Sequence, residues 1–92
     1  MANSTYLHFT TSGNTGTLGG TGSSAMLYAI NVNTAAASAV LTVKVKDTNG
    51  ATIAVIDASA AKSLTFGEGL LVNNGIFFSL SGGNADITVI GG

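Results

Sequence analysis

A chain of 92 residues with three lysines, no arginine, four acids and a net charge of -1 has no basic patch to neutralise phosphates, which excludes nucleic acid as a direct partner. It has no Cys, so neither disulfides nor a Cys-based zinc site can reinforce it, and one small core in one domain is what its length supports. Mean hydropathy is +0.49, yet the apolar runs fall far short of the ~20 residues of a membrane-spanning helix, and the N-terminus reads as no secretory signal.

Apolar residues recur every second position, the signature of half-buried strands. Residues 5–11 set Leu7 and Phe9 against Tyr6, His8 and Thr10. Residues 11–24 are rich in Gly, Ser and Thr with only Leu18 apolar, and read as a linker-like arm. Next, Met26, Tyr28, Ile30 and Val32 alternate with Leu27, Ala29, Asn31 and Asn33, and Leu41, Val43 and Val45 alternate with Thr42, Lys44 and Lys46. Further strands are expected at 52–57, 63–66, 69–72, 76–81 and 86–90, making eight short strands of an antiparallel β-sandwich or small barrel. The alanine-rich stretches 35–39 and 58–61 are too short for independent helices and read as loops or single turns. The expected organisation is an N-terminal strand and arm over 1–24 and a sandwich core over 25–92. Its buried set is Met26, Tyr28, Ile30, Val32, Leu41, Val43, Val45, Phe66, Val72, Phe78 and Val89.

Thr48-Asn49-Gly50 and Asn73-Asn74-Gly75 each place Gly last in a three-residue loop, the pattern of a bulged hairpin with a left-handed glycine. In the second hairpin Val72 would pair with Ile76 and Leu70 with Phe78, leaving Leu71 and Phe77 on the other side. A two-residue Asn74-Gly75 loop would pair Val72 with Phe77 and still leave both faces apolar. Such a hairpin suits a subunit contact, unless the chain's own N-terminal arm covers it.

The chemical motifs are weak. Gly20-Thr21-Gly22-Ser23-Ser24-Ala25 fits the dinucleotide fingerprint by letter, but it follows a Gly-rich loop and opens a strand-like run, where the fingerprint needs a strand before it and a helix after. Asp47-Thr48-Asn49-Gly50 has the start of a calcium loop and lacks its closing acid. Asn3-Ser4-Thr5 is a glycosylation sequon without a secretory context. His8 is the one imidazole, and Asp57 and Glu68 are the acids best separated to converge, but neither set gives a nucleophile beside an oriented base. No catalytic residue, cofactor or metal is expected.

A surface with 8% charged residues, against about 25% in ordinary domains, is poorly defended against association. The expected assembly interface is formed by Tyr6, Leu7, Phe9 and Leu18 on the arm, with Leu71 and Phe77 at a self-contact, most simply in a homotrimer.

The runs Tyr28-Ala29-Ile30-Asn31-Val32-Asn33-Thr34-Ala35, Val43-Lys44-Val45-Lys46-Asp47 and Ile53-Ala54-Val55-Ile56-Asp57-Ala58-Ser59 resemble small virion proteins of tailed bacteriophages. The ending is similar too, with Phe66-Gly67-Glu68-Gly69-Leu70, Asn74-Gly75-Ile76-Phe77-Phe78 and Ser81-Gly82-Gly83-Asn84-Ala85-Asp86-Ile87-Thr88-Val89. The resemblance covers roughly residues 28–90 and is one of strands and turns. It implies a non-enzymatic all-β head decoration or cement protein, made in the bacterial cytoplasm and bound as trimers to the major capsid protein on the capsid exterior. The alternative is a tail, neck or fibre-associated host-recognition or carbohydrate-binding module. For sugar binding Tyr6 is the better aromatic, because Tyr28 falls on an apolar face.

Overall fold

The structure, a computed structural model, describes residues 5–19 and 23–92. Its strands are β1 (Thr5–Phe9), β2 (Thr15–Leu18), β3 (Ala25–Thr34), β4 (Val40–Val45), β5 (Thr52–Asp57), β6 (Lys62–Val72), β7 (Ile76–Ser81) and β8 (Asp86–Gly91). They form two four-stranded antiparallel sheets, the first in the order β1-β8-β3-β6 and the second in the order β2-β7-β4-β5. The antiparallel pairs β1·β8, β2·β7, β3·β6 and β4·β5 are nested in sequence, as in one long hairpin turned at β4–β5 and rolled into two layers. That winding is a jelly roll. The accessible surface is 4761 Å², close to the roughly 4,900 Å² that size scaling gives a folded monomer of this mass.

Alternation places Leu41 and Val43 of β4, Ile76, Phe78 and Leu80 of β7, and Ile87 and Val89 of β8 fully inside. Register sets Leu41 opposite Leu80 and Val43 opposite Phe78 in the second sheet, while Ile30 lies opposite Val89 in the first. Among the described residues no polar or charged side chain is buried, so cohesion between the sheets is apolar.

The alternation in β3 changes phase. A register shift between Leu27 and Ala29 turns Ala25 and Leu27, then Ile30 and Val32, toward the core, leaving Met26 and Tyr28 half-buried instead of in the interior. The cause is an extra residue on β3 itself, since Leu27 pairs with Gly91 and Ala29 with the adjoining Ile90 of β8, which leaves Tyr28 unpaired; on the other side Leu70 pairs with Leu27 but Thr65 with Ala29, so residues 66–69 of β6 bulge opposite the same point. Gly69 there has φ +112°, and a Cβ on it would sit 2.8 Å from Met26 Cγ and 3.0 Å from Tyr28 Cε1, so those two side chains lie over the bare glycine. Val45, Phe66 and Val72 are also only half-buried; Phe66 and Val72 pack against the core from β6, at the margin of the first sheet.

Two differences offset one another in the strand count. The expected strands 63–66 and 69–72 are the two ends of bulged β6, and the expected arm contains β2. Alternation is silent in β2 because only one of its two inward positions, Leu18, is apolar and the other is Gly16, whose missing side chain is replaced by Phe9 and Leu7 from β1, with Phe9 Cζ 3.2 Å and Leu7 Cδ1 3.3 Å from where a Cβ would stand. β1 pairs along its whole length with β8 and β2 with β7, and Phe9 and Leu18 belong to the central cluster. The core therefore extends well N-terminal of Met26.

The two Asn-Gly turns differ as well. β4 and β5 form a hairpin, but Val45 N–H bonds to Ala51 C=O, so the loop is residues 46–50 and its left-handed residue is Lys46 at φ +73°. Gly50 is required for another reason: a Cβ on it would lie 1.6 Å from the Val45 carbonyl oxygen. Gly75 has the expected positive φ, +85°, but its turn carries the chain from the first sheet to the second. β6 and β7 are thus not paired, and Leu70 and Phe78 approach the core from opposite sheets. The alanine-rich connections dock on each other at one end of the sandwich, with Ala36 N–H donating to Ala58 C=O and Ala58 N–H to Ala39 C=O.

Candidate binding surfaces

The six residues expected at an assembly interface are dispersed by this fold. Phe9 and Leu18 are 3% exposed and consumed by the core, and Leu7 packs against it. Tyr6 and Leu71 lie on the outer face of the first sheet, on its two edge strands β1 and β6. Phe77 is half-buried on the outer face of the second sheet, between Thr17 and Lys44. Leu71 and Phe77 therefore occupy opposite sides of the molecule and cannot share one contact within a protomer, because the inter-sheet turn places their strands in different layers.

The outer face of the first sheet is polar at its centre. Register aligns His8, Thr88, Asn31 and Ser63 across β1, β8, β3 and β6. Ser63 Oγ donates to Asn31 Oδ1; two residues along β3, Asn33 Nδ2 donates to Thr88 Oγ1 (3.0 Å) and to Asp86 Oδ1 (3.1 Å); and Asp86 Oδ1 also meets His8 Nε2 at 2.7 Å. Side-chain bonds thus link every adjacent pair of strands in the sheet. The amide of Asn33 and the ring of His8 hold the Asp86 carboxyl below its usual range. Beside this array Tyr6 is 68% exposed, and with Thr5, Thr88 and Ile90 it lines a shallow open groove.

The outer face of the second sheet is different. Its rows are Thr15–Ser79–Thr42–Val55 and Thr17–Phe77–Lys44–Thr52, and among the described residues no side-chain hydrogen bond joins two of its strands. Val55, on edge strand β5, is 64% exposed. Lys44 donates to the Thr48 carbonyl in the adjoining loop, and Asp57 ends β5 in a turn where the Ser59 hydroxyl and N–H bond its Oδ1 and keep its carboxyl below the usual range.

The acids singled out in the sequence do not meet: Asp57 ends β5 in the second sheet and Glu68 sits in the β6 bulge of the first. Asp47 accepts from Asn49 N–H in an Asx turn, and among the described residues no three His, Cys, Asp or Glu gather as metal ligands. The fingerprint-like glycines Gly20 and Gly22, and Asn3 and Ser4 of the sequon, lie outside the described residues.

What sequence reasoning missed is the network of Asn31, Asn33, Ser63, Asp86 and Thr88. Its local trace is a pair of asparagines at alternate positions of a strand, where Asn is normally depleted. No protein-family model matches the chain, and no curated protein matches it.

Proposed function

We propose that this chain is a non-enzymatic structural protein of a tailed-bacteriophage virion, a decoration or cement protein that covers the outer surface of the head. The observation that carries the reading is the outer face of the second sheet, built from Thr, Ser, Val40, Val55 and Phe77 with charge only at Lys44 and Asp57. Such a face holds, among the described residues, no interstrand side-chain array that a partner must break or desolvate as a unit, whereas covering the first sheet would bury the network centred on the ionised Asp86. Jelly rolls serve viral capsids among other roles, a fold-level analogy consistent with the resemblance of residues 28–90 to small virion proteins.

In this reading the second sheet lies on the major capsid protein, the first sheet faces outward, and copies associate, as trimers, through the apolar margin of the first sheet at Leu71, which is 58% exposed, and Met26 opposite it. Quantitative mass spectrometry of purified virions tests the assignment. Hundreds of copies per particle are expected of head decoration; a handful would place the chain at a tail or vertex, and none would overturn the reading.

A further inference from the structure

We propose that the outer face of the first sheet is a carbohydrate-binding surface, with Tyr6 as the stacking platform and Asp86, Asn33 and Asn31 as the groups that hydrogen-bond sugar hydroxyls. Tyr6 presents an amphipathic ring on a paired strand, opposite Ile90, at the mouth of the groove that Thr5 and Thr88 complete. A pyranose offers a C–H face to such a ring, and because Asn31 lies one outward row and Asp86 two rows along the sheet from Tyr6, the latter about 13 Å away, the ligand is an oligosaccharide whose neighbouring units meet donors and acceptors farther along the face.

The network supplies them with unused valences pointing at no other side chain among the described residues. Asp86 receives both His8 and Asn33 on Oδ1, which leaves Oδ2 as an acceptor. Asn33 gives Nδ2 to Asp86 and Thr88, which leaves its carbonyl oxygen. Asn31 accepts Ser63 on Oδ1, which leaves its amide hydrogens as donors. Because each amide is already held by a neighbour on a paired strand, little rotamer freedom is lost on binding.

The same features disfavour other ligands. With no Lys or Arg among these groups, a phosphate chain has nothing to neutralise it, and a protein surface would have to desolvate Asp86, whereas a polyol replaces its water one hydroxyl at a time.

The test uses the full chain, a microarray of bacterial surface polysaccharides, and cellohexaose and chitohexaose as soluble probes followed by backbone amide NMR. Expected are array signals or saturable shifts centred on Tyr6, His8, Asn31, Asn33 and Asp86, with affinity about tenfold weaker or worse in Tyr6→Ala and largely kept in Tyr6→Phe. Because Tyr6 is exposed, Tyr6→Ala should melt with the wild type, and Asn31→Ala offers a second variant that leaves the ring in place. Silence on the array and from both soluble probes would overturn the proposal. So would binding unchanged in Tyr6→Ala, or Tyr6→Ala dissociating an oligomer of a glycan-silent wild type, which would make the face a subunit contact. None of these results depends on whether virions contain the chain.

Discussion

The two outer faces of the sandwich share the same inner core and the same extended backbone, yet one is tied together by side chains and the other is not. On the first sheet Ser63, Asn31, Asn33, Thr88, Asp86 and His8 join β6 to β3, β3 to β8 and β8 to β1. On the second, Thr15, Thr17, Thr42, Ser79, Val55 and Phe77 stand side by side with no such bonds among the described residues. A face whose polar groups are already oriented suits small polar ligands, while a face of small hydroxyls and scattered apolar groups is inexpensive to desolvate over a broad area. On the proposed reading the faces have opposite duties, one in recognition and one in attachment.

The largest effects should come from breaking the core on which both faces rest. Deleting residues 1–22 removes β1 and β2, with Phe9 and Leu18, and should give an unfolded or insoluble chain by circular dichroism and gel filtration. A folded product would mean that residues 23–92 are self-sufficient. Phe78→Ala and Phe9→Ala, whose rings lie 6.4 Å apart across the two sheets, should each cost about 3–5 kcal/mol in urea denaturation, a large share of the 5–15 kcal/mol typical of a domain.

A smaller change should disturb the first face alone. Gly69→Val places a side chain where Met26 and Tyr28 now lie, at a φ that L-residues disfavour, and should cost about 1–3 kcal/mol. The amide shifts it causes should concentrate on β3 and β6, with β4 and β5 unmoved.

Acid should separate the faces further. The carboxyls of Asp86 and Asp57 are held below their usual range by hydrogen bonds made in the folded state, so their stabilisation is present above the unfolded carboxylate pKa of about 3.9 and is lost as pH falls through their lower folded values. Denaturation midpoints should therefore drop below about pH 4. Asp86→Asn should blunt that drop through the first sheet, and Asp57→Asn through the β5–β6 turn; midpoints that rise on acidification would contradict the sign.

How much of this was legible in the sequence differs by element. Leu41, Val43, Phe78 and Val89 were readable because alternation in regular strands reports directly which side is inside. β2 was not, because beside Leu18 its other inward residue is a glycine filled by Phe9 and Leu7 from another strand. The phase of β3 is not legible locally because Tyr28 is an extra residue only by comparison with β8, its partner at the far end of the chain. Asn73-Asn74-Gly75 announced a turn and a positive φ at Gly75, but whether a turn joins paired strands or crosses between layers depends on partners elsewhere in the chain. The polar array was invisible for the same reason: Asn33 and Asp86 are 53 positions apart and meet only through the β3·β8 register.

The smallest effect on stability belongs to the variant that speaks most directly to the central claim. Val55→Lys, at an exposed position of β5, should leave folding within about 0.5 kcal/mol of the wild type. Under the proposed function, cosedimentation of purified chain with undecorated tailed-phage head shells then separates the two faces. Saturable binding by the wild type and by Tyr6→Ala, with loss of binding in Val55→Lys, is the result expected if the second sheet attaches to the capsid. A wild type that stays in the supernatant, or a Val55→Lys variant that decorates shells as the wild type does, would contradict it.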